Sequence, residues 1–498
     1  MKGIFRSISC KCSSPCITLF SLFCLSMVLV VVFKNIGSQN LSSSFLDRKP
    51  WSSTPPPTPS FPFSALSYTN HKKDVYPTFN NLKMQKVVEG LMKELNAESV
   101  MRNDGRERDK KMERVEAELV KARALIRDAI RESRRSHVPA VEDQDYVPRG
   151  KVYRNAYVFE RSYLLMERLF KIYVYEEGEP PLFHSGPSKN IYSTEGIFLG
   201  LIESNTHFRT FDPDEAHAYF LPFSVVMILQ YLFDPIERDK AVLQRVVGDY
   251  VGVISNKYPY WNRSFGADHF MLSCHDWGPR ATWAVHKLYF TSMRVLCNAN
   301  TSEFFNPRKD VSFPEINLPT GNLTGLVTKT SSNNRTILAF FAGRLHGHIR
   351  PLLFQHWKNY TGDIKVFETI PENSSLSYTQ MMENSKYCLC PSGHEVASPR
   401  IVEAIYAGCV PVLISQDYVL PYSDVLDWDE FTVRLEVDKL QDLKKILMGF
   451  GENKYEKLVE GVRNVQRHFV VNDPPKRYDA FHLMIHSLWL RRLNLRVH

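Results

Sequence analysis

Three short motifs are missing from the sequence, and each absence removes an enzyme class. There is no GxGxxG, no GxxxxGK(S/T) and no GxSxG. Dinucleotide oxidoreductases, P-loop enzymes and elbow-type serine hydrolases thus lose the loops their chemistry depends on. Cysteine is scarce: nine in 498 residues, with only Cys274, Cys297, Cys388, Cys390 and Cys409 beyond residue 24. That is too few for a disulfide-stapled scaffold, and no Cys/His spacing reads as a zinc site. The odd number leaves at least one thiol without an intramolecular partner. The apolar settings suggest mostly buried thiols, and one or two bridges stay open. The body also lacks positive charge. The net charge of +8 originates in residues 1–135, which carry about +10, so residues 136–498 sum to about −2. A basic face for nucleic acid is thereby excluded.

Long apolar runs are absent with one exception. Residues 17–33, ITLFSLFCLSMVLVVVF, carry no charge and as a helix would span about 26 Å, the short end for a bilayer. Lys2, Arg6 and Lys11 precede the run with no acid among them. That bias puts residues 1–16 in the cytosol and the rest across the membrane, and no small-residue cleavage site follows. The expectation is an uncleaved signal anchor on a single-pass type II protein. Seven Asn-x-Ser/Thr triplets, at Asn40, Asn262, Asn300, Asn322, Asn334, Asn359 and Asn373, fit N-glycosylation of a lumenal body. Residues 34–82 are a Ser/Pro-rich stalk with PPPTP at 55–59, and residues 83–149 a charged helical stem. In the stem, Met112, Val115, Leu119, Ala122, Ile126 and Ala129 recur at alternating spacings of three and four. Such a seam suits either a short coiled coil, hence a homo- or hetero-dimer through the stem, or a helix lying on the body.

From about residue 150 strands and helices alternate. FKIYVY (170–175), AHAYFLPF (216–223), DHFMLSC (268–274) and SMRVLCN (292–298) read as strands, with helices from about Thr194 and between about 235 and 257. The Pro/Gly/Asn-rich FPEINLPTGNLTG, 313–325, marks a boundary. A second series runs through ILAFFAG, YCLCPSG, a helix over 399–407, VPVLIS, FTVRLE and a helix capped by Asp438. The fold class expected is α/β: two Rossmann-like domains, 150–325 and 326–498, the second with C-terminal helices, facing a cleft.

Three stretches carry candidate chemistry. In FFAGRLHGHIRPLL, 340–353, a strand ends at Gly343, and Arg344 and Arg350 flank a helix start. Glycine admits close backbone approach, and arginines beside a helix N-terminus suit a diphosphate; the plain alternative is a βα loop with solvated arginines. In CLCPSGHEVASPRIVEAIYAGCVPVLIS, 388–415, Ser392 and Gly393 turn the chain. Ser398 sits where an N-cap belongs, Pro399 opens a helix and Gly408 ends it. Arg400 and Glu403 share a face, so Arg400 can meet phosphate while Glu403 accepts ribose hydroxyls; the alternative is a local ion pair. Two such loops after neighbouring strands read as a nucleotide site. In GADHFMLSCHDWGP, 266–279, Asp268 and His269 precede a strand and His275 and Asp276 follow it. Asp268, His269 and Asp276 are general-base candidates, as is Glu195 in STEGIF, whose plain alternative is a first-turn carboxylate. Each histidine taken alone reads more readily as structural than as catalytic. The pairs Asp212–Asp214 and Asp427–Asp429 look like a turn and a strand approach, and no metal is expected there.

These stretches, with FKIYVYEEGEPPLFHSGP and FDPDEAHAYFLPFSV, resemble the exostosin-type glycosyltransferases, glycosyltransferase family 47, and among them the plant cell-wall members. The resemblance covers roughly residues 150–490. It implies a GT-B fold and a Golgi enzyme with a lumenal catalytic domain. It implies transfer of a sugar from a nucleotide sugar, expected to be UDP-linked, to a polysaccharide or glycoprotein glycan, with inversion and without a metal cofactor. The second transferase domain of animal exostosins is not expected. The rival reading is a non-catalytic Golgi subunit that keeps the fold and serves as partner or scaffold.

Overall fold

Short apolar runs separated by polar loops and helices build two parallel sheets in the computed structural model, which describes residues 106–134, 146–328 and 335–497. The first sheet holds β1 (Ile172–Val174), β2 (Arg209–Thr210), β3 (Ala218–Phe220), β4 (His269–Ser273), β5 (Met293–Leu296) and β6 (Val311–Ser312), in the order β2-β1-β3-β4-β5-β6. The second holds β7 (Ile337–Ala342), β8 (Ile364–Phe367), β9 (Ser385–Pro391), β10 (Val410–Ile414) and β11 (Val433–Arg434), in the order β11-β10-β9-β7-β8. Every pairing in both sheets is parallel. Strands β4 and β10 are buried at every position, the pattern of strands covered on both faces. The α/β class follows, and the described residues belong to one contact unit.

The helices that matter here are α1 (Arg106–Ser133), α2 (Ala156–Leu169), α3 (Ser193–Ser204), α4 (Val225–Leu232), α5 (Ala241–Lys257), α6 (Gly278–Ala281), α7 (Ile349–Trp357), α8 (Tyr378–Glu383), α9 (Arg400–Tyr406), α10 (Glu452–Phe469) and α11 (Ala480–Leu493). Three expectations need correction. The long helix placed between about 235 and 257 is preceded by α4, which Ser224 caps by accepting from the Met227 N–H, and α5 begins only at Ala241. Asp438 caps nothing: it lies inside a 3-10 turn, Val437–Asp442. Ser398 is not an N-cap either, because Pro399 holds that position with no side-chain cap. Gly408 does close α9, at φ +62 and donating to Ile405 O.

The stem seam is spent within the molecule. Leu119 and Ala122 are fully buried, and Ala129 nearly so. Arg123 Nε donates to Leu493 O at 2.6 Å, Lys111 pairs with Asp212 at 2.7 Å, and Glu116 pairs with Arg492. This is the helix-on-body alternative. At the other end α11 returns to the first sheet, with Arg491 Nε on Asp310 O at 2.9 Å and Arg492 Nε on His217 O at 2.6 Å.

Four of the five late cysteines pair. Cys274–Cys297 ties the end of β4 to the end of β5, and Cys388–Cys409 ties β9 to the start of β10. The buried-thiol expectation therefore holds for Cys390 alone. Among the described residues no helix is long and apolar enough to cross a membrane, and no three His, Cys, Asp or Glu side chains group as metal ligands. Residues 17–33 and the stalk lie outside the described residues.

Candidate active site

Strand order in the second sheet reverses at β7, which has β9 on one side and β8 on the other. In such sheets ligands sit beyond the carboxyl ends of the strands at that switch point. The loops leaving it are residues 343–348 after β7 and 392–399 after β9, the two stretches that the sequence singled out.

Glycine makes these loops fit each other. A Cβ on Gly347 (φ +72) would lie 1.9 Å from Gly393 O, and one on Gly343 would lie 2.2 Å from Arg400 Nη2. The glycines thus admit a neighbouring loop and an arginine rather than a bare backbone. Arg400 crosses Gly343 to donate to Ala342 O at 2.9 Å, while Arg350 donates to Arg344 O at 3.1 Å and Pro391 O at 3.4 Å. Both guanidiniums sit over the Phe341 ring, 5.1 and 5.8 Å from its centroid. Neither forms an ion pair with a carboxylate among the described residues. Burial first, and then the Arg400 charge, lower the Arg350 pKa to about 10. His346 stacks on His394 at 5.3 Å, and its pKa is lowered by burial and by the surrounding cations. Arg344 is exposed at the rim. The hydroxyls of Ser392 and Ser398 are enclosed with no protein hydrogen-bond partner. Guanidiniums drawn together in this way without a carboxylate partner suit an anion.

Glu403 is not the ion-pair partner of Arg400. Its carboxylate accepts from Tyr378 Oη at 2.7 Å and Asn317 Nδ2 at 3.1 Å. Asn317 follows β6, so this contact crosses from one sheet to the other. A second crossing runs through Asn298, after β5, whose amide lies 2.8 Å from Glu395 Oε2, 3.0 Å from Glu303 Oε2 and 3.2 Å from Asp276 O.

The base candidates separate. Glu195 is fully buried and accepts four hydrogen bonds, from Ser224 Oγ, the Val226 N–H, Ser273 Oγ and the Cys274 N–H. Burial raises its pKa, and its lone pairs are spent tying α3 to α4 and β4. His269 and Asp268 lie at the amino edge of β4, away from the carboxyl ends of the strands. His269 is fully buried, with Nδ1 2.7 Å from Asp268 Oδ1 and Nε2 2.7 Å from Tyr175 Oη. Asp268 is also held by Ser264 and Arg263. Asp276, at the carboxyl end, faces the cleft with the Tyr192 hydroxyl and His394 beside it, and burial raises its pKa. Glu315, also in the cleft, has its pKa raised well above the usual range by burial and then by Asp276 and Glu403.

The cleft thus gathers Gly343, Arg350, Ser392, Gly393, Ser398, Arg400, Glu403 and Asp276, and leaves out Glu195, Asp268 and His269. Sequence reasoning missed Tyr192, Asn298, Glu303, Glu315, Asn317, Tyr378 and Glu395. A clue was present for two of them: Glu315 and Asn317 are polar residues inside the apolar, proline-bounded FPEINLP, read as a mere boundary. Of the glycosylation triplets, Asn262, Asn322, Asn359 and Asn373 are exposed and Asn300 is half-buried; Asn40 and Asn334 lie outside the described residues.

The exostosin GT47 domain matches residues 166–450. A probable glycosyltransferase of Arabidopsis thaliana is 61% identical over 385 residues, 77% of this chain and 82% of that protein. A second from the same plant is 46% identical over 511 residues, 98% of this chain and 97% of that protein. A probable glucuronosyltransferase of Oryza sativa subsp. japonica is 27% identical over 311 residues, 59% of this chain and 73% of that protein. The chain is a glycosyltransferase. It belongs to the exostosin GT47 family.

Proposed function

We propose that the chain is a GT-B enzyme. Its N-terminal Rossmann-like domain, residues 150–325, receives a glycan acceptor, and its C-terminal one, residues 326–498, holds a UDP-linked sugar. The observation that carries this is the pair of guanidiniums, Arg350 and Arg400, stacked on Phe341 at the switch point without a carboxylate partner. They hold the diphosphate and neutralise the charge that grows on it as the sugar leaves, the part a divalent ion would otherwise play. Arg344 adds its charge at the rim. Glu403, fixed by Tyr378 and Asn317, takes the ribose hydroxyls. An acceptor hydroxyl attacks the anomeric carbon opposite the diphosphate, with inversion, and a carboxylate of the cleft receives its proton. Asp276 belongs to that group.

The setting we propose is the Golgi membrane. Residues 17–33 serve as signal anchor, the catalytic domain is lumenal, and the acceptor is a cell-wall polysaccharide or a glycoprotein glycan. The two disulfides and the exposed Asn-x-Ser/Thr sites suit an oxidising lumen. The rice relative's name brings UDP-glucuronate into the first set of donors to try. The test is turnover by the full-length protein over a panel of UDP-sugars with plant cell-wall oligosaccharides. One donor turned over by the parent and not by Arg400→Ala supports the reading. Turnover unchanged in Arg400→Ala and in Glu403→Ala contradicts it.

A further inference from the structure

Glu315 has no role so far, and its setting is unusual. It lies after β6 in a segment pinned from two sides. Ser193 Oγ, at the start of α3, donates to Ile316 O at 2.7 Å, and the Ile316 N–H donates to Thr194 Oγ1 at 3.2 Å. Asn190 and Leu318 exchange backbone hydrogen bonds of 2.7 and 3.2 Å. On the far side Asn317 reaches Glu403, so a residue two positions from Glu315 already touches the carboxylate assigned to the ribose.

Glu315 is only 6% exposed, yet among the described residues its carboxyl accepts no hydrogen bond. Its oxygens are also absent from the sealed, unpartnered atoms of the interior, so they open onto the cleft. The neighbouring acids are engaged: Glu403 by Tyr378 and Asn317, Glu303 and Glu395 by Asn298, Asp276 by the Tyr192 hydroxyl. The charges facing Glu315 are Arg350 from α7, Arg400 and Glu403 from α9, and Asp276 from the loop after β4, with the Tyr192 and Tyr418 phenols close enough to feel it. A nearly buried carboxylate with unused lone pairs thus lies within electrostatic reach of both arginines assigned to the diphosphate.

We propose that Glu315 is the catalytic base of the transfer. Its carboxylate takes the proton of the acceptor hydroxyl while that oxygen bonds to the anomeric carbon. The bond from the anomeric carbon to the diphosphate oxygen breaks, and its electron pair departs on the diphosphate between Arg350 and Arg400. Asp276 and Glu403 raise the proton affinity of Glu315 and the two arginines restrain it, a balance that suits proton abstraction closer to neutrality than an ordinary glutamate allows. The proposal rests on the nucleotide-sugar reading above.

The experiment compares the full-length parent, Glu315→Gln, Glu315→Asp and Asp276→Asn in two assays: calorimetric binding of UDP, and UDP release from the UDP-sugar that the parent turns over. Glu315→Gln is expected to lower kcat by about 10²–10⁴-fold with UDP affinity equal to or better than the parent's, which also shows that the variant folds. Glu315→Asp keeps part of the activity. The parent's kcat falls on the acid side at a pH above the ordinary glutamate range, because the base must be ionised. That limb disappears from the residual activity of Glu315→Gln. A kcat for Glu315→Gln within about threefold of the parent overturns the proposal, as does Asp276→Asn being the variant that abolishes turnover; both outcomes leave the nucleotide site standing if UDP still binds. Failure of the parent itself to bind UDP overturns the underlying reading.

Discussion

The Asn298 amide has two hydrogens and three acceptors around it: Glu395, Glu303 and the Asp276 carbonyl. Burial, followed by the charges of Glu303 and Asp276, raises the pKa of Glu395 to about 8. A carboxyl whose folded pKa lies above its unfolded value contributes stability that is fully present below the unfolded pKa and is lost as pH rises through the folded one. The unfolding midpoint should therefore drop between about pH 5 and about pH 9, and Glu395→Gln should flatten that part of the profile; calorimetric melts across the range read this directly. His269 gives the opposite kind of prediction. With both ring nitrogens partnered inside the core, His269→Ala should cost about 2–4 kcal/mol of stability, measured by denaturant titration. The KM for the donor should stay unchanged, because the ring touches nothing in the cleft.

At the scale of elements, the two loops of the second sheet fit together through Gly347 and Gly393. Gly347→Ala adds a Cβ at φ +72, 1.9 Å from Gly393 O, so the loops must separate. Because those loops lead into the helix starts that carry Arg350 and Arg400, UDP affinity should fall together with the melting temperature, whereas a change at exposed Leu345 should move neither. The Cys388–Cys409 bridge joins β9 to β10 across α9, a separation of 21 residues. Its removal by Cys388→Ala/Cys409→Ala should destabilise the protein by about 3 kcal/mol, seen as a lower denaturant midpoint. These elements also mark what could be read in advance. The central strands were legible because FMLS and VPVLI are continuous apolar runs. The edge strands β2, β6 and β8 were not, since pairing rather than composition makes them strands. Ser398 was read as a cap because serine before proline at a helix start is the common case. Instead its hydroxyl is enclosed without a protein partner.

At the scale of the molecule, the site belongs to neither sheet alone. The anion half was legible because its arginines, glycines and helix starts are local in sequence. Of the acid half only Asp276 was legible, as a polar residue just past an apolar strand; Glu315 and Glu395 come from two other loops, and only the folded chain brings the three together. The same holds for the stem: a 3-4 seam looks alike whether it meets a second copy or its own body, and here Leu119 and Ala122 meet the body. Leu119→Asp should accordingly lower the stability of the whole body, not merely loosen a stem.

The central claim is that two unpaired guanidiniums at the switch point bind a diphosphate. Calorimetric titration of UDP into the full-length parent and into Arg350→Ala/Arg400→Ala tests it most directly. Saturable binding by the parent is expected, with an affinity lowered by roughly two orders of magnitude or more in the double variant as charge-assisted hydrogen bonds are lost. Equal affinity in a double variant that remains folded would contradict it.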